Sequence, residues 1–265
     1  MADIYNTAND TLLSGTSGDD SIQNGGVWDG SYHYGGFNVT INAGAGNDSI
    51  YNNYGSDVTI NADAGNDSIY NDFGSNVTIN AGDGSDSISN SGKYVSISTG
   101  DGDDSIQNNR GSFVTINADE GNDSIENGGS DVTIKAGSGN DTLLSDGYNV
   151  TINAGAGDDR ISLTHSGNLV QYAAGDGNDT IWGFNESETL TITGGSYSTQ
   201  VSGSDVLVKI GSGSIRLVGA KGKDLNINRR KTPKLITLTD SDDTFLSTLS
   251  SVKIIGGKGS DYINS

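Results

Sequence analysis

A short alternation of apolar and polar residues, Val-Thr-Ile or a close variant, returns along most of the chain. It stands at Val39/Ile41, Val58/Ile60, Val77/Ile79, Val95/Ile97, Val114/Ile116, Val132/Ile134, Val150/Ile152 and, drifting, at Val170/Tyr172. Seven residues after the second apolar position comes an Asp, and two residues later a second inward apolar residue: Ile50, Ile69, Ile88, Ile106, Ile125, Leu143, Ile161 and Ile181. Period-2 alternation over so few residues predicts a short strand on each side of the Asp. The Asp itself recurs at 48, 67, 86, 104, 123, 141, 159 and 179, in steps of 18 to 20 residues. A period near 20 predicts a solenoid. The fold expected is all-β: a parallel β-roll or β-helix solenoid with coils of 18–19 residues, each built as strand, Gly-Asp turn, strand and second turn.

Three stretches are set apart from that rhythm. Residues 1–182 make the repeat array, interrupted at 25–37 by an insert holding Trp28, Tyr32, His33, Tyr34 and Phe37. The array opens on turn-like segments at Asn9-Asp10 and Gly18-Asp19-Asp20, only ten residues apart, so both sides of the first coil are expected to carry turns of one kind. Residues 183–232 alternate in Thr189–Thr193, Asp205–Ile210 and Ser214–Val218, with Gly211-Ser212-Gly213 as a hairpin link, and are expected to form an antiparallel β cap over the open edge. Residues 233–265 restart the repeat, with Asp240-Ser241-Asp242-Asp243 and then Gly256-Gly257-Lys258-Gly259-Ser260-Asp261, 18 residues apart. One and a half coils bury no core of their own.

Composition sharpens the picture. Only 32% of residues are hydrophobic and 40 are Gly, a balance that would suggest disorder if the apolar residues were not in register. The net charge of −20 argues against nucleic acid and anionic membrane surfaces as partners. It suits a cation binder: about seven divalent ions between stacked turns would bring about +14. There is no Cys, which excludes disulfides and thiolate metal sites. Apolar runs are too short to span a membrane, and Met1-Ala2-Asp3-Ile4-Tyr5 does not read as a signal peptide. Asn columns at 24, 52, 71, 90, 108 and 127, and at 42, 61, 80, 117 and 153, predict stacked amide ladders.

Two Gly and an Asp within five residues bring carbonyls and a carboxylate together, the donor set of a hard cation. The turns Gly44-Ala45-Gly46-Asn47-Asp48-Ser49-Ile50 and Gly175-Asp176-Gly177-Asn178-Asp179-Thr180-Ile181 resemble the RTX (hemolysin-type) calcium-binding repeat, and Gly256–Ile263 resembles it most literally. The resemblance implies a parallel β-roll that folds on Ca2+, secretion from a bacterium, and Ca2+ held between adjacent turns. It implies Asp48, Asp67, Asp86, Asp104, Asp123, Asp141, Asp159 and Asp179 as side-chain ligands, with Asp20 and Asp261 as further candidates. The flanking Asn47, Asn66, Asp103, Asn122, Asn140, Asp158 and Asn178 are expected to contribute. The family repeat is nine residues long with metal on both edges. Here the motif comes once per coil, so one metal-bearing edge and one ordinary edge are expected. Ala stands for the motif's first Gly at 43, 62, 81, 118, 136 and 154, and Asp for its second at 63 and 119.

The function expected is a calcium-dependent structural or adhesive module of a secreted or cell-surface bacterial protein, with head-to-tail assembly into filaments through residues 233–265. The alternatives are a ligand-binding solenoid surface, or the non-catalytic repeat module of a larger enzyme or toxin. The ligand would be ice on the outward Thr40, Thr59, Thr78, Thr115, Thr133 and Thr151, or a glycan on Trp28, Tyr32 and Tyr34. No catalytic set is expected, because His33 and His165 are the only His and neither accompanies a nucleophile. Calcium, a second copy, and a cell-surface or glycan partner are the expected contacts.

Overall fold

This computed structural model describes residues 2–25 and 35–228, with the backbone of 234–237, 244–246, 252–255 and 262–264. The chain divides into two units, residues 1–226 and 227–265. Among the described residues every regular element is a strand.

The first unit is a parallel β-solenoid of about ten coils. One sheet takes a strand from each coil, starting Asp3–Asn6, Ser21–Asn24, Ser49–Asn53 and reaching Asn178–Trp182. The other starts Thr11–Ser14, Val39–Ala45, Ser56–Ala64 and reaches Thr189–Thr193 and Asn226–Ile227. Neighbouring strands pair in parallel with like residues opposite: Ile50 with Ile69, Val58 with Val77, Thr59 with Thr78. The backbone bonds therefore run along the solenoid axis, and each coil serves as the template for the next.

That register explains how so little apolar residue suffices. Val39, Ile41, Ala43 and Ile50 are at most 1% exposed, and their equivalents in later coils are buried alike. Each Ile packs on the Ile above and below it, and full burial of such a side chain stabilises the fold by about 1.5–3 kcal/mol. β-branched side chains suit this pleated, two-sided packing. The Ala column is small because the chain turns inward there towards the Asp edge.

The second edge is held by amides. Asn6, Asn24, Asn52, Asn71, Asn90, Asn108 and Asn127 are buried and form one continuous ladder, each Nδ2 donating to the next Oδ1 at 2.7–2.9 Å. The expected second ladder is shorter. Asn42, Asn61 and Asn80 are linked on the outer face, but Ser98 follows in that column and Asn117 donates instead to Asp119. Beside the buried ladder the backbone turns left-handed at Asn38, Asp57, Asn76, Asp131 and Asn149, residues that tolerate it. Tyr94 and Phe113 occupy the same position with φ of 57° and 58°, and Tyr54 and Phe73 lie at 56° and 55°. For bulky side chains this costs about 1–2 kcal/mol each. Asp10 belongs to this edge as well: its carboxylate accepts from Asn38 Nδ2 at 2.7 Å.

Three places differ from the sequence reading. Thr189–Thr193 is the next parallel rung of the second sheet, pairing with Leu169–Ala173, and not part of an antiparallel unit. The antiparallel strands are Tyr197–Ser202, Asp205–Ile210 and Gly213–Leu217; the last runs parallel to Asn178–Trp182 and joins the three to the first sheet, whose edge is Tyr197–Ser202. Val170 stacks on Ile152 and not on Val150, so Tyr172 falls in the Ala column opposite Ala154. The longer step to Asp179 lies in the Asp turn, where spacing alone put it in the other turn.

In the second unit, Lys234–Thr237 pairs in parallel with Val252–Ile255 and Thr244–Leu246 with Tyr262–Asn264. Both pairs are offset by 18 residues, a coil length of the first unit. The insert residues Trp28, Tyr32 and Tyr34, and Asp261, lie outside the described residues. The chain leaves the second edge at Gly25 and rejoins it at Gly35, whose N–H donates to Asn53 O at 2.7 Å.

Candidate metal centre

The Asp turns stack as closely as the strands do. Gly46, Gly84, Gly102, Gly121, Gly139 and Gly157 all have positive φ. A Cβ on Gly102 would sit 2.1 Å from Gly84 O, so only Gly lets one turn lie against the carbonyl of the one before. Two residues earlier in the motif, Asp63 and Asp119 take the place of Gly at φ 75° and 67°, and the turn keeps its path. Short polar side chains tolerate this region better than others do.

The tight turn drives one carboxylate per coil into the interior. Asp48, Asp67, Asp86, Asp104, Asp123, Asp141 and Asp159 are at most 2% exposed. Each uses Oδ1 to accept the N–H of the Asp one coil earlier, at 2.7–2.9 Å from Asp20 N onward to Asp141 N. Asp179 closes the series, accepting from Asp159 N at 3.1 Å. The other oxygen, Oδ2, is buried and without a hydrogen-bond partner among the described residues at Asp48, Asp67, Asp86, Asp104, Asp123, Asp141 and Asp159. A buried polar atom left in this state costs about 1–3 kcal/mol, more when charged. The same cost recurs in seven coils, and a cation bound beside these oxygens would offset it.

Electrostatics agree. Burial, reinforced by neighbouring carboxylates of the column, raises Asp67 to about 6 and Asp86, Asp123 and Asp159 to about 7. Burial and then the charge of Asp159 raise Asp179 to about 8. Asp48, Asp104 and Asp141 shift the same way, again chiefly through burial. Among the described residues no three His, Cys, Asp or Glu side chains gather into a cluster. A cation here would take one carboxylate from a coil and most of its oxygens from turn carbonyls, a donor set that fits a hard divalent ion.

The ends of the column depart from its middle. Asp20 spends both oxygens on the chain: Ala2 N–H donates to Oδ1, and Thr16 N and Oγ donate to Oδ2 at 2.5 and 2.9 Å. Those bonds outweigh burial and hold its carboxyl below the usual range. At the far end the Tyr172 hydroxyl donates to Gly177 O at 2.6 Å, and Asp176 Oδ2 accepts from Ala173 N–H. Sequence spacing concealed this Tyr, because it stands where earlier coils have Ala. Of the flanking residues, Asn47, Asn66, Asp103, Asn122, Asn140 and Asp158 are exposed, and each Oδ1 accepts the N–H of the equivalent residue one coil later. Asn178 is exposed as well and closes that series. On the second edge His165 Nδ1 lies 2.7 Å from Asp146 and edge-on to Tyr148, as part of a turn.

Comparison with known proteins gives one family. The family model of the RTX calcium-binding nonapeptide repeat matches residues 35–58, 54–77, 135–163, 172–196 and 238–265. No curated protein sequence matches. Among solved structures, the extracellular lipase LipA from Serratia marcescens is similar with a TM-score of 0.34 and 16% identity over 80% of this chain. The match spans 38% of that lipase.

Proposed function

From a chain that carries RTX calcium-binding nonapeptide repeats, we propose a calcium-folded structural module of a secreted protein. The observation carrying this is the row of seven buried, unpartnered Asp Oδ2 atoms. Asp48, Asp67, Asp86, Asp104, Asp123, Asp141 and Asp159 would hold the ions, together with carbonyls of the Gly turns. Calcium, when bound, supplies the positive charge that lets these carboxylates stay ionised inside the roll. The chain's own part is to orient each carboxylate, through the Oδ1 bond to the preceding coil, and to exclude water with the Ile stack. Asp20 is less suited, since its oxygens are taken by Ala2 and Thr16. The flanking Asn and Asp side chains serve as an outer ladder. RTX repeat proteins are typically secreted, which supports an extracellular site of action.

A second element of this reading is assembly. The segment 234–264 repeats the 18-residue pairing offset of the array in a separate unit and matches the same family over 238–265. Such a short stack has open strand edges, and a head-to-tail contact between copies would cover them.

One experiment tests both parts. Sedimentation velocity of the full chain, and of a chain ending at 232, is run with millimolar calcium and with chelator. The expected result is a slow, expanded species in chelator and a compact one in calcium, with about seven ions taken up in a parallel titration. Larger calcium-dependent species are expected for the full chain only. An equally compact protein in both buffers, taking up no calcium, would sink the module reading. Polymers from the shortened chain would sink the assembly.

A further inference from the structure

Opposite the Asp column, the solenoid carries an exposed row of aromatic rings. Among the described residues the buried aromatics are Tyr172 and Phe184, while Tyr51, Tyr54, Tyr70, Phe73, Tyr94 and Phe113 are 40–61% exposed. They occupy the second edge and the adjoining outer face in consecutive coils. Tyr51 and Tyr70 stack with centroids 4.8 Å apart and planes 5° from parallel; Tyr54 and Phe73 stack at 5.0 Å and 18°, Tyr94 and Phe113 at 5.1 Å and 10°. Near-parallel rings at that separation are laterally offset, so each leaves part of its face open. Tyr94 and Phe113 also hold a left-handed backbone at a position that other coils fill with Asn or Asp, and Tyr54 and Phe73 hold one at a second position of the same turn. Exposed apolar surface combined with backbone strain is a signature of a binding surface.

We propose that this aromatic row binds a neutral, extended polysaccharide. The rings run along four successive coils as three stacked pairs, so they fit an extended ligand, its sugar C–H faces lying against the rings. Around them stand hydrogen-bonding groups suited to sugar hydroxyls: Asn53, Asp72, Ser91 and Asn109. The edge is locally balanced in charge, with Asp57 and Asp72 against Lys93 and Arg110, although the molecule as a whole is −20. That overall charge disfavours an anionic glycan. This surface is distinct from the insert residues Trp28, Tyr32 and Tyr34, and does not depend on the calcium reading.

The test uses the calcium-loaded full chain and a panel of neutral polysaccharides: cellulose, mannan, starch and chitin. Two variants accompany it. One carries Tyr54→Asn, Phe73→Asn, Tyr94→Asn and Phe113→Asn, since Asn suits the left-handed backbone. The other carries Tyr51→Ser and Tyr70→Ser, since Ser89 fills that column one coil later. The wild type is expected to bind at least one polymer. The first variant should bind it roughly tenfold or more weakly, and the second more weakly too, with melting temperature and calcium uptake held. No binding by the wild type, unchanged binding by both variants, or a large fall in melting temperature in both would overturn the proposal. So would rings that prove to drive only self-association.

Discussion

At the scale of the residue, the buried carboxylate oxygen is the decisive group. Oδ1 of Asp123 is committed to Asp104 N, at 2.9 Å, while its Oδ2 is buried without a partner. Replacing Asp123 by Asn keeps the first interaction and removes the charge from the second. Two opposite effects are expected. In calcium the variant binds one ion fewer and unfolds at lower denaturant. In chelator near pH 5, where the wild type is expected to stay folded, it is more stable than the wild type, by roughly 1 kcal/mol, because no carboxyl has to be held protonated on folding. Denaturant titrations in both buffers check this. A variant less stable in both would mean that the carboxylate serves the fold without metal.

At the scale of the element, the two edges separate fold from chemistry. Asn90 accepts from Asn71 Nδ2 and Gly92 N and donates to Asn108 Oδ1. Asn90→Ala strands all three buried groups, at roughly 1–3 kcal/mol for each. The melting temperature should fall sharply in calcium while the number of ions bound stays at the wild-type value, as calorimetric titration would record. An altered ion count would tie the ladder to the metal edge. The strands and the Asp column were legible in the sequence because Val, Ile and Asp recur at one spacing, and side chains of one kind stack on their own kind. What escaped the reading depends on where an extra residue is absorbed. Val170 and Tyr172 keep the usual distance to Asp179, yet the lengthened turn shifts both by two positions and seats Tyr172 beneath the last Gly carbonyl. Thr189–Thr193 has the same alternation whether it pairs parallel or antiparallel, so pattern alone did not place it. The division of labour between Oδ1 and Oδ2 is equally invisible to spacing, since it depends on which way the carboxylate turns.

At the scale of the whole molecule, the column makes stability in the absence of metal a function of pH. Carboxyls held at about 6 to 8 in the folded roll ionise near 4 once unfolded. The folded form therefore binds more protons between those limits. Stability in chelator is greatest below about pH 4, and it is lost as pH rises through about 6 to 8. In chelator, the chain should be folded near pH 5 and expanded near pH 8, as circular dichroism and sedimentation would detect. Greater stability at pH 8 would reverse the sign and refute the argument. The in-register pairing has one more outcome, and it concerns inheritance. The regular coils offer closely similar upper and lower surfaces, and each step is 18 to 20 residues. An unequal genetic exchange between two coils therefore lengthens or shortens the array by whole coils, with the Ile, Asn and Asp columns still aligned. Recombination would thus change such an array in whole-coil steps, and point mutation one coil at a time.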